Sequence, residues 1–204
     1  MKTITAFWNS GPFQTNSYLL NFGDGHKILI DPVPEPNEDD IEQILLTHAH
    51  FDHIVNADAW REATGAPLGA IEAAKGHMGD SNANVASFFG LELTQKEPDF
   101  FVKDGDVLDY GDWKIQVISA PGHSPDCVVY LALEKDEPRF LFTGDVIFRR
   151  DIGRCDLKGS SYPAMKDSLR RLLDIGKGWP DEMPIYPGHG PSSTWGEEKA
   201  QNPY

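Results

Sequence analysis

Thr47-His48-Ala49-His50-Phe51-Asp52-His53 places four ligand-type side chains within six residues, directly after the apolar run Ile44-Leu45-Leu46. On a helix these four positions would point too many ways to converge, since one face is shared only by residues three or four apart. On a loop that leaves a buried strand they can fan around a metal centre. Neutral imidazole nitrogens and a carboxylate suit Zn²⁺, Fe or Mn. The stretch therefore reads as a metal-binding loop mounted on a strand end.

Further along the chain the same arrangement recurs in diluted form. His123 lies in Ala120-Pro121-Gly122-His123-Ser124-Pro125, after a strand expected over 113–119. Asp145 lies in Phe142-Thr143-Gly144-Asp145, after a strand over 139–143. His189 lies in Tyr186-Pro187-Gly188-His189-Gly190-Pro191, after a strand over 183–186. Taken singly, a Gly-His or Gly-Asp pair is an ordinary turn. Their recurrence in chain order, each on a turn after an apolar strand, adds His123, Asp145 and His189 to the candidate ligands His48, His50, Asp52 and His53. Five of the seven histidines thus fall at strand ends, while His26 and His77 do not.

The surrounding pattern supplies the scaffold. β-branched and aromatic runs predict strands over 3–8, 17–22, 27–30, 43–47 and 66–71, with Gly23-Asp24-Gly25 as a turn. A helix is expected over 54–63, stopped by Gly65, and a weakly patterned helical region over 72–89, broken by Gly76 and Gly79. Strands over 107–110 and 113–119 flank Gly111-Asp112, and 128–133, 139–143 and 183–186 complete the set. Met165, Leu169, Leu172 and Leu173 give helical spacing over 162–173, and the tail 195–204 reads as polar and helix-poor. Two strand-rich halves, each followed by helices and joined by no linker, predict two sheets with helices outside in a single domain of 204 residues.

The formal net charge of −14 repels a phosphate backbone over a Debye length of about 8 Å. Nucleic acid is therefore not an expected partner. No apolar stretch approaches the ~18 residues of a membrane helix. The N-terminus carries no signal-peptide pattern, and Cys127 and Cys155 are too few for a disulfide framework, so a reducing cytoplasm is the expected home.

His-x-His-x-Asp-His, Gly-His, Gly-Asp and Gly-His in this order resemble the metallo-β-lactamase superfamily. Thr143-Gly144-Asp145-Val146-Ile147-Phe148, Ile152-Gly153-Arg154-Cys155-Asp156 and Pro187-Gly188-His189-Gly190-Pro191-Ser192-Ser193-Thr194 look like the short glyoxalase II group, YcbL-type members above all. The resemblance implies a four-layer αββα sandwich and two metal ions per chain, zinc first, with iron or manganese as alternatives. His48, His50 and His123 would hold one metal, Asp52, His53 and His189 the other, with Asp145 bridging. It further implies hydrolysis of a small anionic thioester such as S-lactoylglutathione by a metal-bridging hydroxide, with Asp52 and Asp145 as the catalytic carboxylates.

Arg149, Arg150, Arg154 and Lys158 follow Asp145, and Arg154 and Arg150 are the candidate clamp for a substrate carboxylate. Asp156 stands where the long glyoxalase II enzymes have an aromatic partner. Neither cysteine falls on a ligand position, unlike several β-lactamases of this fold. Rival functions on the same residues are a mono-iron persulfide dioxygenase, a lactone or phosphodiester hydrolase, and a metal-binding module without turnover.

Overall fold

Residues 3–7, 13–23 and 25–204 are described by the computed structural model. Trp8 of the expected first strand and Asp24 of the expected turn lie outside them. The chain divides into two units, Met1–Val102 and Lys103–Tyr204, each built on one six-stranded sheet.

In the first unit the sheet order is β1-β2-β3-β4-β5-β6. The strands are β1 (Thr3–Phe7), β2 (Ser17–Asn21), β3 (Lys27–Ile30), β4 (Gln43–Leu45), β5 (Leu68–Ile71) and β6 (Phe100–Val102). β1, β2 and β3 pair antiparallel, and β3 to β6 run parallel. Parallel strands are covered on both faces, which explains why β3, β4 and β5 read as continuous apolar runs rather than as alternation. Gly69 in β5 is required by close approach, since a Cβ there would fall 2.1 Å from Cζ of Phe100.

Helix α1 (Ala57–Thr64) starts later than the expected residue 54, because residues up to Asn56 still belong to the turns leaving the histidine loop. It stops where expected. Gly65 takes a left-handed conformation, φ 71°, and its N–H returns to the Arg61 carbonyl. Trp60 pins the helix to a core with Leu29, Ile44, Ile54 and Leu68, and its indole N–H donates to the Pro34 carbonyl at 2.7 Å. The expected helical region over 72–89 is a correction: it contains only short 3-10 turns at Glu72–Ala74 and Ala86–Phe89. Gly76, one of the two expected breaks, lies between them at φ 82°, a conformation that a right-handed helix cannot continue through. Strand β6, only three residues long, was too short to give a periodic signal.

The second unit has the order β12-β11-β10-β9-β8-β7. Its strands are β7 (Val107–Tyr110), β8 (Trp113–Ser119), β9 (Val128–Glu134), β10 (Glu137–Gly144), β11 (Pro184–Pro187) and β12 (Ser193–Thr194). β7 and β8 form the expected hairpin around Gly111-Asp112. Lys135 and Asp136, both with positive φ (52° and 67°), make the two-residue turn between β9 and β10. β8 and β10 are each antiparallel to β9, and β11 is parallel to β10. β8, β10 and β11 therefore run in one direction and end at the same edge.

Helix α2 (Tyr162–Ile175) is capped by the Ser161 hydroxyl, which accepts from the Ala164 N–H at 3.3 Å. Its apolar face carries Met165, Leu169 and Leu172 into a core with Val129, Leu131, Leu141 and Ile185. The tail is the second correction, since Trp195–Gln201 form helix α3. Thr194 caps it by accepting from the Glu197 N–H at 3.3 Å. The Trp195 ring, 1% exposed, enters the core, and its N–H donates to the Gly176 carbonyl at 3.0 Å. A single large apolar residue docks a tail whose average composition is polar. Among the described residues no helix is long and apolar enough to cross a membrane.

Candidate metal centre

In the first unit the ligand-type residues leave the sheet at one edge. β3 and β4 are parallel, so Asp31 and Thr47 stand side by side beyond their C-terminal ends. β2 runs the other way and enters at that edge, preceded by Thr15. Asp31 is 1% exposed and holds a left-handed φ of 54°. One of its oxygens accepts from the Thr47 N–H at 2.8 Å. The other accepts from the Thr47 hydroxyl at 2.7 Å and meets His53 Nδ1 at 2.8 Å. That contact places the His53 proton on Nδ1, so Nε2 carries the lone pair that a metal needs.

Thr15 donates its hydroxyl to Asp52 Oδ2 at 2.7 Å, which fixes the second acidic candidate. His48 stacks edge-on to His50 with ring centroids 4.6 Å apart, and tilts over His53 at 4.2 Å. Ligand-capable atoms lie within 4.8 Å of each other in the pairs His48–His50, His48–His53 and Asp52–His53. All four loop candidates are buried. The Phe51 N–H, in the middle of the loop, is tied to the Asn84 carbonyl at 3.0 Å.

The second unit collects its three candidates from three separate strands. His123, Asp145 and His189 each follow one of the co-directional strands β8, β10 and β11. The Gly188 N–H donates to the Gly144 carbonyl at 2.8 Å and joins the last two strand ends. Asp145 Oδ2 lies 3.3 Å from His123 Nε2 and 3.4 Å from His189 Nε2. His123 Nδ1 meets the Arg154 carbonyl at 2.8 Å, which again assigns the proton to Nδ1 and the lone pair to Nε2. Gly153 makes this packing feasible. A Cβ there would lie 2.0 Å from the Asp145 carbonyl oxygen and 3.0 Å from the His123 ring.

A metal fits this donor set on charge grounds. Its two carboxylates, Asp52 and Asp145, are buried, and no lysine or arginine is among the buried residues described. Buried anions need compensating charge.

The expected substrate residues carry surface side chains. Arg150 and Arg154 are exposed. Arg154 grips Asp156 through Nε at 2.6 Å and Nη2 at 2.8 Å, and this contact holds the Asp156 carboxyl below its ordinary pKa. Cys127 is buried and lies 3.2 Å from the Ser124 hydroxyl; burial pushes its thiol well above the usual range. Two positioning residues went unread in the sequence, Asp31 and Thr15. Asp31 carried the same signal as Asp145, an aspartate closing an apolar strand just before a turn.

Comparison with known proteins places the chain in a family. A model of the metallo-β-lactamase superfamily matches residues 10–189, and the chain belongs to that superfamily. Two mixed sheets with flanking helices are its α/β sandwich fold. A probable metallo-hydrolase of Bacillus subtilis, YqgX, is 32% identical over 95% of this chain and 93% of its own length. The hydroxyacylglutathione hydrolase GloC of Haemophilus influenzae is 29% identical, covering 94% of this chain and 93% of GloC.

Among solved structures, the B3 metallo-β-lactamase BLEG-1 superposes with a TM-score of 0.86 at 31% identity over 98% of both chains. TTHA1623 in a di-iron-bound form gives 0.75 at 32% identity, over 95% of this chain and 96% of its own. ETHE1 from Myxococcus xanthus gives 0.71 at 29% identity, over 98% of this chain and 83% of its own. The protein is thus a member of a metallo-hydrolase superfamily with His and Asp clusters suited to a metal centre.

Proposed function

We propose that the protein is a binuclear metal-dependent hydrolase acting on a small anionic thioester. The observation that carries this reading is Asp145, one of whose carboxylate oxygens is shared between the Nε2 atoms of His123 and His189. A carboxylate flanked by two imidazoles would serve as an anionic bridge between two metal ions. In this reading His48, His50 and His123 would hold one ion and Asp52, His53 and His189 the other, with Asp145 shared between them. When bound, the pair supplies a hydroxide nucleophile at neutral pH and polarises the carbonyl under attack. Zinc is the first candidate, with iron supported by the di-iron TTHA1623.

The chain's own residues do the rest. Asp31 and the Arg154 carbonyl keep His53 and His123 in the tautomer that presents Nε2. Thr15 holds Asp52 as a ligand. A thiolate leaves without needing a proton, so no dedicated general acid is required. Arg150 and Arg154 receive the carboxylate end of the substrate, Arg154 by exchanging Asp156 for it. S-lactoylglutathione is the reference substrate, a choice supported by the likeness to GloC.

Elemental analysis of the purified protein, paired with thioester hydrolysis in the same preparation, tests this reading. About two metals per chain with turnover of S-lactoylglutathione is the expected result. A single iron per chain with oxygen uptake on glutathione persulfide would overturn it. The likeness to BLEG-1 puts a chromogenic β-lactam in the same panel; turnover of the lactam without the thioester would keep the centre and replace the substrate.

A further inference from the structure

Glu198 is a buried carboxylate, 5% exposed, that none of the chemistry above uses. It does not cap its own helix, since Thr194 already does so. It reaches instead across 48 residues to the turn after Asp145. Its Oε2 accepts from the Arg150 N–H at 2.9 Å and from Asn202 Nδ2 at 2.9 Å, while Oε1 accepts from the Ser193 hydroxyl. Asn202 Nδ2 also donates to the Asp151 carbonyl at 3.0 Å.

The turn so gripped closes on itself through Phe148 N–H to the Asp151 carbonyl at 2.9 Å and the reverse contact at 3.3 Å. Arg150 holds φ 61° in it, a conformation that a non-glycine residue keeps only where its surroundings fix it. At the start of the turn the Phe148 ring stands edge-on to His189, with centroids 5.9 Å apart at 87°.

We propose that Glu198 is a positioning residue for anion binding, acting through the main chain of Arg150. Its filled acceptors lock the 148–151 turn, and the locked turn presents the Arg150 side chain to the carboxylate end of the substrate. The inference rests on the anionic substrate proposed above. It concerns geometry rather than charge, which makes a sharp distinction between two substitutions. Glu198→Ala removes both acceptors. Glu198→Gln can keep its carbonyl oxygen toward Arg150 and Asn202 and turn its amide toward the Ser193 hydroxyl, which can also accept.

Isothermal titration of glutathione, an anionic tripeptide thiol, into the metal-loaded protein provides the test. Glu198→Ala is expected to raise Kd roughly fivefold to tenfold, and Glu198→Gln to stay within about twofold of wild type. Arg150→Ala/Glu198→Ala is expected to bind no more weakly than Arg150→Ala alone, because both act through one contact. Should Glu198→Ala fail to fold, Asn202→Ala loosens the same turn and is expected to weaken binding about twofold to threefold.

Wild-type affinity in Glu198→Ala, equal losses in the Gln and Ala variants, additive losses in the double variant, or no glutathione binding by the wild type would each overturn the proposal. Thioester turnover is read separately on the same wild-type sample. Glutathione binding without turnover removes the hydrolase reading alone. Turnover with unchanged glutathione affinity in Glu198→Ala removes the Glu198 role alone.

Discussion

The two units supply their ligand-type residues in opposite ways. The first concentrates four of them, His48, His50, Asp52 and His53, in one loop after one strand. The second gathers three, His123, Asp145 and His189, from the ends of β8, β10 and β11. A concentrated loop needs little of the sheet beyond a rigid exit point, and its geometry is set by local turns and by Asp31. A dispersed set depends on strand direction, because only co-directional strands deliver their C-terminal ends to one edge. The dispersed half should therefore be the more sensitive to changes in packing, and the concentrated half to loss of its orienting hydrogen bonds.

Asp145→Ala breaks the dispersed half at its centre. Turnover of the best substrate should fall by roughly 10²-fold to 10³-fold, and metal content should drop below that of the wild type. Elemental analysis beside an initial-rate assay reads both, and a fully loaded, active variant would show that Asp145 bridges nothing.

Asp31→Ala tests the concentrated half. It strips the Thr47 N–H, the Thr47 hydroxyl and His53 Nδ1 of a buried acceptor. Loss of such an orienting partner typically costs 10-fold to 100-fold in metal affinity or activity. Chelator competition would measure it, and wild-type retention of metal would mean that the loop holds its own shape.

Gly153→Ala asks whether packing alone disturbs the dispersed set. The added Cβ meets the Asp145 carbonyl oxygen at 2.0 Å, and backbone cannot swing aside as a side chain can. A loss of about 1–3 kcal/mol is expected from urea denaturation, with weakened metal retention. An unchanged midpoint would show that the 153 loop yields freely.

How far the sequence could be read follows the same contrast. The loop 47–53 was legible alone, because its ligand types are crowded into one stretch. His123, Asp145 and His189 became legible only through repetition of one pattern at three apolar strand ends. Helix α1 was readable at Gly65 but not at its start, since the turns of residues 54–56 carry the same apolar residues as a helix would. The 72–89 segment was legible at its Gly76 break, while its weak spacing suggested more helix than the two short 3-10 turns that form. The tail misled through composition, as Trp195 is its one buried large apolar residue among otherwise polar anchors. Asp31 and Thr15 remained hidden because their partners, Thr47, His53 and Asp52, are close only after the strands pair.

Two smaller effects lie outside both halves and calibrate them. Burial raises the Cys127 thiol well above its ordinary range, so thiolate is scarce at pH 8 and the folded protein should leave Cys127 unalkylated by iodoacetamide. Mass spectrometry reads this, and rapid labelling would show that the 120–127 loop opens.

The hydrogen bond from Lys27, 2.6 Å away, lowers the Asp40 pKa. A depressed carboxyl stabilises above its ordinary value and loses that contribution as pH falls through the folded one. The stability difference between wild type and Asp40→Asn should thus be small at pH 6, smaller still in high salt, and gone in strong acid. Urea midpoints across that range read the effect, and a difference that persists in strong acid would assign it to something other than charge.

Trp195 has an optical consequence as well as a mechanical one. Its ring lies 4.9 Å from that of Trp179 at 57°, close and inclined enough for the two indoles to couple their electronic transitions. Undocking of residues 195–204 separates the pair and erases the coupled band from the circular dichroism spectrum. The chain thus carries its own unlabelled gauge of whether the tail that holds Glu198 is in place.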